Sequence, residues 1–330
     1  MDIEFHYYLT GIIAHRAGFT TDEARIIAYS SQFVDDNHVI LNVKEKGDGE
    51  VYSNYISQTM DILKPRRTLM RIYPVFHFVP GDPMAPFARR RDGKMHILNT
   101  TPDGEIANLM VSEAFKALPE LRPYRIGIAT HAYVDTWAHQ NFAGINDSFN
   151  GDMLNPIPNI GHAENKNHPD WISHRWEDER LLESDIDNNV RFISAAKTLF
   201  QKYCENLGHK ASWSDLQKDL LLAVDRSKPG HHPYGQEGRL ERYSQMAEWL
   251  PPYDEDVWFD EAIDRKVVGL EDPHNEFLDR FTVLKDEYWW KKEVEKEQTH
   301  WFRFQEAVKG HQAFALTPIN EKFKYMGIKV

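Results

Sequence analysis

Along most of the chain, apolar positions recur at the three-to-four-residue spacing of an amphipathic helix. Phe5, Tyr8, Leu9, Ile12 and Ile13 carry that pattern over residues 4–17, and Gly18 supplies a stop. Thr20 with Glu23 three positions on forms a capping box for a second helix reaching about Val34. Thr101-Pro102-Asp103 opens a helix to about Leu118, and Pro123 opens one that runs to about His139. Ser184 and Asp187 precede a strongly periodic helix that ends at Leu207 before Gly208, and a shorter helix spans 213–225. A Glu/Lys-laced, Trp-rich helix is expected over 274–308. Two stretches break the period. Val39, Leu41 and Val43 alternate before Lys-Gly-Asp-Gly, with Val51 and Tyr52 beyond, which predicts a small β-hairpin. Residues 66–80, rich in Tyr, Phe, Val and Pro, are expected as extended chain or loop, and Arg89, Arg90 and Arg91 as a solvated turn. Residues 142–174 read as a long irregular connection, of the kind that often carries function. The expectation is a mainly α, single multi-helix domain over 1–330, with a metal-site half over 1–175 and a helical half over 176–330.

Composition narrows the classes. The 330 residues include 41% hydrophobic ones, enough for a sizeable core, so disorder of the whole is excluded. A net charge of −12 argues against a nucleic-acid coat or a polybasic membrane binder. The single cysteine, Cys204, excludes an intramolecular disulfide framework and a multi-thiolate zinc site. No apolar run reaches the roughly 18 residues of a transmembrane helix. Met-Asp-Ile-Glu-Phe-His-Tyr-Tyr does not read as a secretory signal, so a cytoplasmic location is expected. Phosphate-loop, dinucleotide, nucleophile-elbow and H-E-x-x-H motifs are missing, as is any His-Asp dipeptide.

Histidine is abundant, with 16 in the chain. His131, Asp135 and His139 stand at i, i+4 and i+8 in I-A-T-H-A-Y-V-D-T-W-A-H. Each step of four turns an α-helix by about 40° and climbs about 6 Å, so the three share one face. Ile126, Ile128, Ala129, Ala132, Val134 and Ala138 make the same helix apolar around much of its girth. Such a helix is buried, and buried ionisable groups must be paired or bind metal. Two imidazoles bracketing a carboxylate suit zinc, iron or manganese. The carboxylate can bridge two ions, as in sites that promote in-line displacement at phosphorus. The same strip could instead be a buried Asp–His hydrogen-bond network.

Other segments could close the site. His6 lies among apolar neighbours, where a core role is the simpler reading. Asp35 and Asp36 end the second helix, where the dipole disfavours carboxylates and a cation would offset that cost. His162, His168 and Asp170 lie in the irregular stretch; His77 reads as core, and His231 with His232 as surface.

The segments F-H-Y-Y-L-T, A-Y-S-S-Q-F-V-D-D, T-H-A-Y-V-D-T-W-A-H-Q-N-F-A-G and I-G-H-A-E, followed by H-P-D, resemble an uncharacterised bacterial family known as a domain of unknown function, DUF6765, over about the first 170 residues. More distantly, their order is similar to the helical zinc-dependent phospholipase C and P1-type nuclease superfamily. That resemblance implies a fold of that type and metal ligation by His6, Asp35, His131, Asp135, His139 and His162. It departs in having Met1 where the superfamily uses a processed terminal Trp, so one set of metal ligands is expected to be missing, and Lys166 where a Glu is expected. The reading is a metal-dependent hydrolase of a small phosphoester, with zinc first and iron or manganese as alternatives, and with Asp36 or Glu164 as general base. The rival is a non-catalytic helical protein with a structural His/Asp network and a protein-binding face around Trp289, Trp290 and Trp301.

Overall fold

The computed structural model describes residues 1–45, 50–59, 61, 64–151, 159–224, 236–267 and 286–329, leaving out the side chain of residue 164. The hairpin turn over 46–49, part of the irregular stretch, His231 and His232, and the start of the expected Trp-rich helix lie outside the described residues.

A π-helical turn, Glu4–Leu9, runs directly into α1, Thr10–Ala17, and Gly18 caps it at φ 112°, a left-handed conformation suited to glycine. In α2, Thr21–Asp36, the Thr20/Glu23 capping box forms in full. The predicted hairpin appears as β1, Asn42–Lys44, and β2, Val51–Ser53. There follow α3 (Arg66–Ile72), α4 (Glu105–Ala114) and α5 (Arg122–Ala138). Next come β3 (Arg175–Glu177), β4 (Asp185–Asp187), α6 (Asn188–Leu207), α7 (Trp213–Ala223), α8 (Gln236–Met246) and α9 (Val257–Ala262). The order ends with β5 (Ile263–Lys266), β6 (Glu287–Trp290) and α10 (His300–Tyr325). The mainly α expectation is met, with a small mixed sheet ordered β2-β1-β6-β5 and a separate β3–β4 ladder. Among the described residues no helix is long and apolar enough to cross a membrane.

Three expectations are corrected. Residues 66–77 are not extended: α3 continues into a second π-helical turn, Tyr73–His77. Pro74 sits in its first turn, where a missing N–H costs little. Residues 287–290 are strand, not helix, because Tyr288 and Trp290 are buried alternately. The long helix starts only at His300, capped by the Thr299 hydroxyl accepting from the Phe302 N–H. The arginine turn is not fully solvated either: Arg90 is buried, donates to the Phe149 carbonyl at 2.8 Å and covers its ring.

The core is built around α5. Every residue from Ile126 to Ala138 is buried, and the helix packs on α2, α4, α6 and α10. Trp290 and Trp301 lie in this same core, which therefore draws on both ends of the chain. The first turn is anchored by a buried ion pair. Arg239 on α8 grips Glu4 through two 2.7 Å hydrogen bonds, and the Tyr243 hydroxyl adds a third at 3.1 Å. Removing one partner leaves an uncompensated buried charge. Arg239→Met should therefore lower unfolding free energy by about 3–5 kcal/mol, read from the urea midpoint; a shift within experimental error would refute the anchoring role.

Candidate metal centre

Eight side chains and one amino group converge beside α5. His131 and Asp135 project from α5, and His139 is its C-terminal cap. Asp35 comes from the last turn of α2, and His6 and His77 each come from a π-helical turn. π-Helical turns are rare and recur at functional sites. Asp170 arrives from the loop after α5, and the Met1 amino group sits 2.5 Å from Asp135 Oδ1 and 3.2 Å from Asp170 Oδ1. His6 Nε2 lies 3.1 Å from Asp135 Oδ1, with its ring stacked on His131 at 3.8 Å. His162 joins through Nε2, 3.3 Å from Asp170 Oδ2.

Backbone carbonyls decide how these rings point. His131 Nδ1 faces the Ser31 carbonyl at 2.7 Å, His77 Nε2 that of Ser57 at 3.0 Å, and His139 Nδ1 that of His77 at 2.7 Å. His162 Nδ1 faces the Lys166 carbonyl. A carbonyl only accepts, so each of these nitrogens carries the proton. In the neutral rings the other nitrogen then turns a lone pair inward. His131 Nε2 and His77 Nδ1 meet at 3.1 Å, and His139 Nε2 meets Asp170 Oδ1 at 2.9 Å. Asp135 Oδ2 lies 3.2 Å from His131 Nε2 and 3.6 Å from His77 Nδ1, buried and without a hydrogen-bond donor. Lone pairs facing lone pairs repel, and a cation among them is the remedy. Three donor triads have their atoms within 4.8 Å of one another: His6/Asp35/His131, His77/His131/Asp135 and His139/His162/Asp170.

Protons do not fill this need throughout. Burial, then His131 and the Met1 amino group, push His6 down to about 3, and burial also lowers His162; His131 moves the other way, because Asp35 and Asp135 outweigh its burial and raise it. Burial alone would raise Asp135 and Asp170. Instead, His139, Met1, His131 and His6 hold Asp135 well below the usual carboxylate range, and Met1, His162 and His139 do so for Asp170. Burial pulls the Met1 ammonium down, but Asp135, Asp170 and Asp35 outweigh it and lift it to about 11. The cluster opens into a cavity of about 450 Å³ walled by Tyr73, Phe78 and Ile160, with Gln58, Lys166 and Asn167 adding polar groups.

The sequence model described as Family of unknown function (DUF6765) matches residues 1–319. The chain belongs to that family. The match extends well past the first 170 residues and takes in every member of the cluster. No curated protein and no solved structure matched this DUF6765 chain, so the more distant likeness to phospholipase C and P1 nucleases gains no support from them.

All six expected ligands of this DUF6765 chain lie in the cluster. Asp36 does not line its cavity. Its carboxylate accepts from the Tyr253 hydroxyl at 2.6 Å and the Gln32 amide at 3.1 Å, and it borders a separate 90 Å³ cavity. Burial, then the neighbouring Asp35, raises it to about 6. The side chain of Glu164 lies outside the described residues. His168 packs against His174, 2.8 Å between ring nitrogens. Sequence reasoning missed His77, whose aromatic neighbours point to core, and the Met1 amino group. Asp170 carried a usable signal, a carboxylate eight residues after His162 on a segment able to fold back.

One glycine sets the spacing of the centre. A Cβ on Gly127 of α5 would fall 2.5 Å from the Ser30 Cβ and 2.6 Å from the Ile27 carbonyl of α2. That close approach brings Ser31 and Asp35 of α2 against His131. Gly127→Ala must spread the two helices. It should cost about 1–3 kcal/mol of stability and lower bound metal in the folded protein, checked by denaturation and elemental analysis. Full stability with full metal content would contradict this spacing role.

Proposed function

We propose that this chain is a metal-dependent hydrolase acting on phosphoesters. The observation that carries the reading is the inward turn of four imidazole lone pairs, each fixed from behind by a backbone carbonyl, onto three carboxylates. The orphaned Asp135 Oδ2 and the partnerless His6 Nδ1 fit a cation in place of missing partners. Imidazole with carboxylate suits zinc first, with iron or manganese as alternatives. The three triads, two of which share His131, favour more than one ion.

A divalent cation here would activate water near neutral pH and stabilise charge developing at phosphorus. The chain's own part is to orient and to exclude. The Ser31, Ser57, His77 and Lys166 carbonyls hold the rings in one tautomer, and Asp135 is held ionised by the groups around it. Phe78, stacked on His139 at 4.4 Å, shields one side of the centre from water. A general base, with Asp36 and Glu164 as the sequence-based assignments, belongs to this proposal.

Protein purified without chelator should contain at least one equivalent of zinc, iron or manganese by mass spectrometry. Asp135→Asn should weaken metal binding by more than about 100-fold, beyond the 10–100-fold typical of an outer partner. Hydrolysis of a generic phosphomonoester or phosphodiester should vanish on chelation and return with the metal. Equal metal in parent and Asp135→Asn would sink the assignment.

A further inference from the structure

We infer that Lys166 is the residue that captures the anionic group of the substrate at the mouth of the metal cavity. This rests on the hydrolase reading above and narrows it to negatively charged phosphate esters over neutral esters or amides. Lys166 is the one lysine or arginine among the described residues lining the cavity, and it is exposed. Among the described residues its ammonium takes part in no ion pair. Its position is coupled to the centre, because its own carbonyl fixes His162 from behind.

Its backbone stands at φ 51°, ψ −132°, a region that glycine occupies freely and a lysine does not. The carbonyl contact alone would be met more easily by glycine, so the side chain has to earn its place some other way. Electrostatics supplies the reason. A chain of net charge −12 repels anions as a whole. Asp35, Asp135 and Asp170 line the cavity with three carboxylates, of which the Met1 ammonium beside Asp135 and Asp170 offsets only part. A local ammonium at the entrance draws a phosphate ester toward the metal centre.

The test compares Lys166→Arg, Lys166→Met and Lys166→Gly with the parent, using inorganic phosphate as the probe in calorimetry on metal-loaded protein. Metal content and thermal midpoint are measured on the same samples. Lys166→Met should bind phosphate at least about tenfold more weakly at unchanged metal content, and Lys166→Arg should stay within about threefold of the parent. Lys166→Gly keeps the carbonyl and relieves the backbone. It should be as stable as the parent or more so, yet lose phosphate as Lys166→Met does. A fully metallated Lys166→Met or Lys166→Gly that binds phosphate like the parent overturns the inference, as does a metallated parent that binds no phosphate. A parent without metal overturns both this inference and the hydrolase reading.

Discussion

Everything at the centre depends on hydrogen bonds that face away from it. Four imidazoles each spend one nitrogen on a main-chain carbonyl, of Ser31, Ser57, His77 or Lys166, and this leaves the other nitrogen bare toward the carboxylates. The arrangement is costly as a hydrogen-bond network alone, because largely buried lone pairs confront one another. It becomes favourable once positive charge lies between them. The outer bonds also make the inner geometry rigid, since a ring tied to the backbone cannot rotate away from its neighbours.

That rigidity is inherited from the packing of α5. The helix is buried over its whole functional stretch, and α2 reaches it closely enough at Gly127 for Ser31 to serve His131 and for Asp35 to face it. The two π-helical turns bring in the partners that regular helices would misplace. The first is held by Glu4 and Arg239, so an ion pair between the start of the chain and α8 sets where His6 stands.

Much of this was legible from residue order alone. The i, i+4, i+8 strip placed His131, Asp135 and His139 on one buried face, and the capping box and glycine stop marked α2 and α1. His77 was not legible. Its neighbours Val75, Phe76 and Phe78 are all buried, so hydrophobic pattern assigns the segment to core without showing that a wider helical turn aims one imidazole elsewhere. Strand β6 was hidden for a related reason. Its Glu and Lys neighbours mimic a solvated helix, and only pairing with β1 and β5 reveals the alternation of Tyr288 and Trp290. Side-chain destinations set by contacts distant in sequence leave little trace in local period.

The parallel pairing of Val43 with Tyr288 has a kinetic corollary. Some 245 residues separate the two strands, so the hairpin edge leaves the ribosome long before its cover exists. At ordinary synthesis speeds that interval is roughly 10–50 s. During it an unpaired strand edge is open to other nascent chains. Expression at lower temperature, or with holdase chaperones in excess, is thus the setting in which this topology is best protected from edge-to-edge aggregation.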